Sequence, residues 1–175
     1  MTRFLLDTST VSAAVWRVPD AGVLARLQEH GGECAICAPV WHELQFGVRR
    51  LPRGKRRAGL ASFLEEVVRA TLPILPYDER AAARHREERA RLERAGKSAP
   101  FVDGQIAAIG VTCGLPLITA NPSDFKFFKG LVVQQLGRRA LNSLDPGGAV
   151  VSTFHSRFTS VRGTSLSLSR STARR

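Results

Sequence analysis

Four acidic residues have the chemistry and the spacing to hold a divalent cation. Two of them follow short apolar runs, and the other two lie three or four residues after a proline that can open a helix. Carboxylate oxygens are the ligands that Mg²⁺ and Mn²⁺ prefer, whereas zinc sites are usually built from nitrogen and sulfur. The four candidate ligands are Asp7, Asp124, Glu43 and Asp103.

Asp103 stands in the first turn of a predicted helix that is otherwise apolar, within the stretch 100–109. Packing alone does not explain a charge at this position. A carboxylate there can interact with the helix dipole, which contributes at most about 1 kcal/mol in an exposed setting. It can also bind a metal, and the choice between the two roles depends on whether other acids converge on it.

The rest of the chain supplies the elements that would position these acids. Short apolar runs alternate with amphipathic segments along most of the sequence, a pattern that predicts a parallel sheet covered by helices. Strands are predicted near 3–6, 34–38, 72–75, 115–119 and 131–133. Helices are predicted near 11–16, 21–29, 39–48, 60–70, 78–95 and 100–113.

In such a sheet the carboxyl end of each strand and the amino end of the next helix lie at the same edge. Asp7 and Asp124 follow predicted strands, and we place Glu43 and Asp103 in the first turns of helices. All four are therefore expected to face one cleft. Carboxylates crowded together without cations raise one another's pKa values, and a divalent metal is the natural counter-charge.

Composition separates a folded body from a basic tail. The chain has 175 residues and a formal charge of +11, of which residues 138–175 carry +6 through seven Arg and one acid. We predict a single domain over 1–137 and a disordered Ser/Thr/Arg-rich tail over 138–175. Within the body, the densest basic cluster spans 49–57 and can contact phosphate or simply be solvated.

The cysteine content and the hydropathy of the chain limit the cellular compartments in which we expect the protein. Three cysteines form no even-numbered disulfide framework, and no apolar run approaches the roughly 20 residues that a membrane span needs. We therefore expect a soluble, cytoplasmic protein without a membrane segment.

The ordered set of acids and flanking residues resembles the PIN-domain ribonucleases, in particular the VapC-type toxins of bacterial toxin–antitoxin systems. The similarity covers most of residues 3–133. Four pieces carry it: Leu5-Leu6-Asp7-Thr8-Ser9, Glu43, Pro100-Phe101-Val102-Asp103-Gly104-Gln105-Ile106-Ala107-Ala108 and Thr119-Ala120-Asn121-Pro122-Ser123-Asp124-Phe125.

This resemblance implies a three-layer α/β/α sandwich with a central, mostly parallel sheet. It also implies Mg²⁺-dependent cleavage of RNA, frequent formation of homodimers, and inhibition by a small cognate antitoxin. Two positions depart from the usual family pattern. Ser9 stands where the family often has Asn, and Ala120 stands where a basic residue is common. Ser9 keeps a hydroxyl at the site, whereas Ala120 removes a possible contact to phosphate.

On this basis we expect three of the acids to hold Mg²⁺, or Mn²⁺ in its place, directly or through water: Asp7, Glu43 and Asp103. Asp124 would complete a second or weaker position, although it is also consistent with a turn cap before Phe125. Four further residues would support the acids by hydrogen bonding: Thr8, Ser9, Thr119 and Asn121. For these four, an ordinary role as caps and turn residues is an equal alternative.

Three other functions compete with this interpretation. A non-catalytic module could bind RNA through its basic charge alone. A phosphatase of the haloacid dehalogenase type also has an Asp after its first strand, but it needs a second acid where Ser9 stands. The Cys34-x-x-Cys37 spacing suggests zinc, but no second pair of ligands accompanies it.

Overall fold

A computed structural model describes residues 1–15 and 31–135 of the chain. The strands are β1 Phe4–Leu6, β2 Cys34–Cys37, β3 Ile74–Leu75, β4 Leu117–Thr119 and β5 Val133–Gln135. The helices are α1 Thr8–Val15, α2 Ala38–Arg49, α3 Lys55–Phe63, α4 Glu79–Arg94, α5 Phe101–Cys113 and α6 Pro122–Phe125. The predicted helix at 21–29 and the predicted tail at 138–175 lie outside the described residues.

Two irregular segments join these elements. A 3₁₀ turn at Gly31–Glu33 leads into β2. Helix α3 continues through a π-helical segment, Leu64–Val68, and ends with one further turn at Arg69–Thr71. Neither segment contributes an acid to the predicted site.

The five strands form one parallel sheet in the order β3-β2-β1-β4-β5. All residues of β1, β2 and β4 are buried. Parallel strands read as continuous apolar runs because helices cover both faces of such a sheet. The predicted α/β fold with a central parallel sheet flanked by helices is confirmed.

The register of the two central strands brings their carboxyl ends together. Leu6 pairs with Ile118, so the next residues, Asp7 and Thr119, lie at the same edge. The Asp7 amide donates to the carbonyl of Ile118 at 3.0 Å, which extends the ladder by one bond. The chain runs from β1 to β2 on one side, while β4 lies on the other. This is the topological switch point at which open α/β sheets bind their ligands.

Helix α5 packs behind this edge of the sheet, with one face of the helix deeply buried. Its core side includes Ile106 and Ile109, both fully buried. At Gly110, a Cβ atom would lie 2.9 Å from Leu131 Cδ1 and 3.3 Å from the Leu115 carbonyl oxygen, so a larger residue would displace the Leu131 side chain. The helix ends at Gly114, whose φ of 65° is the left-handed conformation of a C-terminal cap. Helix α4 packs along α5, while α2 packs on α1 and α3.

Several predicted boundaries differ from the structure, and three of them illustrate the reasons. Strand β5 begins at Val133 rather than at residue 131, because pairing follows the backbone ladder with β4 and not side-chain hydrophobicity. Helix α3 begins at Lys55, five residues before the apolar stripe that predicted it. Helix α2 begins at Ala38, so Glu43 lies in its second turn instead of its first. None of the helices in the described ranges is long and apolar enough to cross a membrane.

Candidate active site

Asp7 is held at the end of β1 by two hydroxyl groups. Ser9 Oγ donates to Asp7 Oδ2 at 2.7 Å, and Thr119 Oγ1 donates to the same oxygen at 2.8 Å. Each hydroxyl in turn accepts a backbone amide, from Ala120 at 3.1 Å for Ser9 and from Asn121 at 3.0 Å for Thr119. Asp7 is only 7% exposed. Its position is therefore set by two strand ends together, and Oδ1 accepts no hydrogen bond from the described residues.

Glu43 joins the site through the first residue of α1. Thr8 Oγ1 donates to Glu43 Oε2 at 2.5 Å, which links the start of α1 to the second turn of α2. This bond brings Glu43 toward the edge at which Asp7 lies, even though Glu43 is further along its helix than predicted. The sequence alone gave Thr8 no more than an equal chance of such a contact, because Thr is common at helix starts in any case.

Burial and the charges of the other three acids raise the pKa of Asp103. Burial raises its pKa, and the nearby charges of Asp7, Asp124 and Glu43 raise it further, to about 6. An acid that served only the helix dipole would instead have a lowered pKa, because the helix N-terminus favours the charged form. Asp103 also makes no side-chain cap for α5. The four acids thus form one electrostatic group, in which neighbouring charges oppose ionisation of Asp103.

Asp124 is the outermost of the four. It is exposed in α6, and its Oδ1 accepts a hydrogen bond from Ser123 Oγ at 3.2 Å. Asn121 precedes α6 and contributes through its backbone amide rather than through its side chain. Of the four predicted supporting residues, Thr8, Ser9 and Thr119 contact an acid directly, and Asn121 acts through Thr119.

The acid cleft, defined here as Asp7, Glu43, Asp103 and Asp124, has no cationic partner within the described ranges. No Lys, Arg or His of residues 1–15 or 31–135 forms a salt bridge with any of the four. The donor set is carboxylate only, and none of the described cations balances its negative charge. Across the same residues, no three His, Cys, Asp or Glu side chains converge closely enough to ligate one ion directly. Mg²⁺ is usually held by one or two carboxylates together with water, so the donor set fits that ion.

The cysteine pair does not offer a competing metal site. Burial is the main cause that raises the pKa of Cys34 and of Cys37 to about 12 in each case. Zinc binds the thiolate form, which is strongly disfavoured here. The acids contribute as well, since the charges of Asp7 and Glu43 raise the pKa of Cys37.

His85 packs against the start of α5, the helix that carries Asp103. Its ring is buried against the first turn of α5, where a Cβ added to Gly104 would lie 2.4 Å from His85 Nε2. Tyr77 Oη and His85 Nδ1 are hydrogen-bonded at 2.9 Å. Burial lowers the pKa of His85, and the charge of Arg89 lowers it further. The signal in the sequence was the glycine at 104, directly after the acid in a helix interior.

The model of the PIN domain family matches residues 4–129, a range that includes all four acids of the cleft. The chain belongs to the PIN-domain family. VapC ribonuclease Y4jK of Sinorhizobium fredii is 32% identical to this PIN domain over 126 residues, covering 70% of this chain and 89% of the relative. The resemblance predicted from the sequence is confirmed.

Two solved structures share the fold. FitAcB from Neisseria gonorrhoeae has a TM-score of 0.68 at 29% identity, and the match covers 74% of this chain and 95% of that chain. VapBC-5 from Mycobacterium tuberculosis, a member of the VapBC family of toxin–antitoxin systems, has a TM-score of 0.55 at 25% identity over 77% of this chain and 98% of that chain. In both cases the match covers nearly the whole length of the other chain.

Proposed function

We propose that this PIN domain is a divalent-metal-dependent endoribonuclease and the toxin of a toxin–antitoxin pair. The observation that carries the proposal is the acid cleft itself: four carboxylates act on one another at the switch point of a parallel sheet, and no cation of residues 1–15 or 31–135 pairs with them. The kinship with a VapC ribonuclease and with a VapBC protein supports RNA as the substrate and a small antitoxin as the partner.

Three residues would hold the metal, Mg²⁺ or Mn²⁺, some of them directly and the others through water: Asp7, Glu43 and Asp103. A bound divalent cation supplies positive charge that polarises water and stabilises the negative charge that develops on a phosphodiester. Asp124 is exposed at the rim, where it can hold a second, weaker ion position or orient water.

Hydrogen bonds within the chain orient the carboxylates of this site. Ser9 and Thr119 hold one oxygen of Asp7 by hydrogen bonds and leave the other free. Thr8 orients Glu43. Asp103, with a pKa of about 6, sheds its proton near neutral pH, and a cation competes with that proton for the same carboxylate. The hydroxyl groups thus fix the orientation of the carboxylates, and the negative charge of the carboxylates attracts the cation.

The two departures from the family pattern have different consequences. Ser9 takes part in the site through Asp7, so a hydroxyl serves where the family often has an amide. Ala120 contributes only its backbone amide, which donates to Ser9. Contacts to the RNA phosphate must therefore come from elsewhere on the surface. By the same kinship we propose that the protein works in the cytoplasm and forms homodimers. Analytical ultracentrifugation can test the homodimer.

Cleavage of a labelled RNA tests the proposal. The purified wild-type chain is expected to cut single-stranded RNA in Mg²⁺ and to stop when a chelator removes the metal. Asp103→Asn should abolish cleavage while circular dichroism shows a folded protein. Full Mg²⁺-dependent cleavage by folded Asp103→Asn would contradict the assignment. RNA binding that needs no metal and leaves the RNA intact in Mg²⁺ would favour the non-catalytic binding module instead.

A further inference from the structure

Two exposed phenylalanine rings lie on segments that also carry an acid of the cleft. Phe101 opens α5 two residues before Asp103 and is 54% exposed. Phe127 follows α6 three residues after Asp124 and is 37% exposed. Exposed large rings are unfavourable in water and are a common feature of surfaces that bind a partner.

Cations lie over both rings. Arg89 Cζ is 5.3 Å from the centre of the Phe101 ring. Lys97 Nζ is 4.2 Å and Lys126 Nζ is 4.8 Å from the centre of the Phe127 ring. These five residues define the aromatic–cationic surface: Phe101, Phe127, Arg89, Lys97 and Lys126.

An open cleft of about 330 Å³ adjoins this surface, between the second half of α4 and the start of α5. Arg89, Lys97 and Phe101 line it, and Leu92 and Phe128 form its apolar floor. Lys97 and Lys126 form no salt bridge with any residue of the described part of the chain. Arg89 pairs with Glu93 at 2.9 Å, and both side chains are more than half exposed. Such a pair is weak, so a phosphate can replace Glu93.

A buried ion network fixes the backbone that presents Phe127. Glu88 is 5% exposed and accepts the Lys129 amide at 2.8 Å. Arg91 donates to Glu88 and also to the carbonyl of Phe127, the latter at 2.6 Å. Arg84 donates to the carbonyl of Lys129 at 2.5 Å. We call Glu88, Arg84 and Arg91 the Glu88 clamp. Because the clamp holds the backbone on both sides of Phe128, Phe128 points inward and Phe127 stays exposed.

We propose that the aromatic–cationic surface binds a single-stranded stretch of RNA. Its two rings stack on unpaired bases, and its three cations contact the phosphates. Rings combined with cations form the usual platform for single-stranded nucleic acid, because every base has a face that can stack. An acidic polypeptide would use the cations but has no need of the rings. This inference rests on the proposed function for the identity of the RNA, and it also accounts for phosphate contacts that Ala120 does not supply.

Fluorescence anisotropy in a chelating buffer tests the surface without cleavage. The probe is an end-labelled, unstructured RNA of about 12 nucleotides, a length within the range of known single-strand sites. Phe101→Leu and Phe127→Leu should each raise the Kd at least about fivefold, because each removes a stacking ring. Phe46→Leu is the matched control, since Phe46 is also 54% exposed and has Arg50 Cζ 5.7 Å from its ring. Its Kd should stay within about twofold of wild type, and all variants should keep the wild-type circular dichroism spectrum.

Two further measurements distinguish stacking of bases on the rings from binding of phosphates by the cations. An abasic oligonucleotide of the same length has phosphates but no bases, so the two Phe variants should bind it as well as wild type. Lys97→Ala and Lys126→Ala should each reduce the slope of log affinity against log salt by about 0.7, whereas the Phe variants leave that slope unchanged. Polyglutamate binding should be insensitive to the Phe variants.

Several outcomes would overturn the inference. They are an unchanged Kd for both Phe variants, an equal loss for Phe46→Leu, and an equal loss on the abasic probe or on polyglutamate. The result is independent of catalysis, because binding is measured without metal. Wild-type chain that binds RNA through the rings but never cleaves it in Mg²⁺ would contradict the proposed function alone. Wild-type chain that cleaves RNA while the Phe variants bind it normally would contradict this inference alone.

Discussion

The fold surrounds its buried acids in two opposite ways, one at Glu88 and the other in the acid cleft. In the Glu88 clamp, burial opposes ionisation of Glu88, but Arg91, the Lys129 amide and Arg84 outweigh it and lower the pKa of the carboxyl. In the acid cleft, burial and three neighbouring acids act in the same direction and raise the pKa of Asp103 to about 6. Glu88 is compensated by neighbouring cations, whereas no cation in the part of the chain that the structure describes pairs with the acids of the cleft.

The difference separates structure from function. A buried acid that stabilises the fold is paired and hydrogen-bonded, because an unpaired buried charge is costly. A group of acids that repel one another lowers stability, and perturbed pKa values of this kind cluster at functional sites. Neutralising an acid should therefore have opposite effects on stability in the two groups. Four predictions, from the largest effect to the smallest, test this contrast.

Of the four substitutions, neutralising Asp7 should have the largest effect. That effect should be on cleavage activity. Asp7→Asn removes a charge that the cleft needs for its cation, so Mg²⁺-dependent cleavage should fall at least about 100-fold. Gel-based cleavage assays measure this directly, and induced expression of Asp7→Ala should no longer arrest growth. Glu65→Gln is the control, because Glu65 is an exposed acid paired with Arg69. Equal losses for Glu65→Gln and Asp7→Asn would mean that the effect is not specific to the cleft.

Neutralising Glu88 should mainly reduce stability. Glu88→Gln leaves Arg84 and Arg91 without a charge partner, and we expect the free energy of unfolding to fall by about 2 kcal/mol at pH 7. Because the pKa of Glu88 is lowered in the fold, its contribution is present above the ordinary value of 4.5 and is lost as the pH falls below it. Urea unfolding at pH 7 and pH 3 measures both parts. A difference from wild type that persists undiminished at pH 3 would contradict the electrostatic cause.

Removing the hydroxyl of Ser9 should weaken metal binding without unfolding the protein. Ser9→Ala deletes the 2.7 Å bond to Asp7 and the acceptor for the Ala120 amide. Loss of such a supporting bond typically lowers metal affinity about tenfold, so half-maximal cleavage should require about ten times more Mg²⁺. Ser62→Ala is a matched control, because Ser62 Oγ donates to a surface carboxylate, Glu66, at 2.6 Å. An unchanged Mg²⁺ requirement in Ser9→Ala would exclude a supporting role.

Neutralising Asp103 should raise stability slightly, the reverse of the effect at Glu88. In a chelating buffer at pH 7.5, Asp103→Asn should increase the free energy of unfolding by about 1 kcal/mol, after allowance for screening by solvent. The raised pKa means that the penalty is absent below the ordinary value of 3.8 and develops as the pH rises through about 6. Thermal unfolding at pH 4 and pH 7.5 measures it. A lower melting temperature than wild type at pH 7.5 would show that Asp103 is compensated after all.

The sequence by itself determined the order of the elements and the edge at which the acids meet. Alternating apolar runs and amphipathic segments permit little other than a parallel sheet with helices on its faces, and that topology brings Asp7 and Asp103 to one edge whatever the side-chain details. The motif around the acids was sufficient to recognise the family. Boundaries such as the start of α3 were less accurate, because the ends of helices depend on local backbone bonds that hydrophobic periodicity does not report.

Only the tertiary structure decided which polar groups are compensated and which are exposed. Glu88 lies in a highly charged helix that the sequence presents as a solvated face, yet α4 turns it inward against the segment after α6. The raised pKa of Asp103 and the exposure of Phe127 likewise depend on residues far away in the sequence. Burial, charge and hydrogen bonding are properties of three-dimensional neighbours, so periodicity can locate an acid but cannot tell whether a cation will lie beside it.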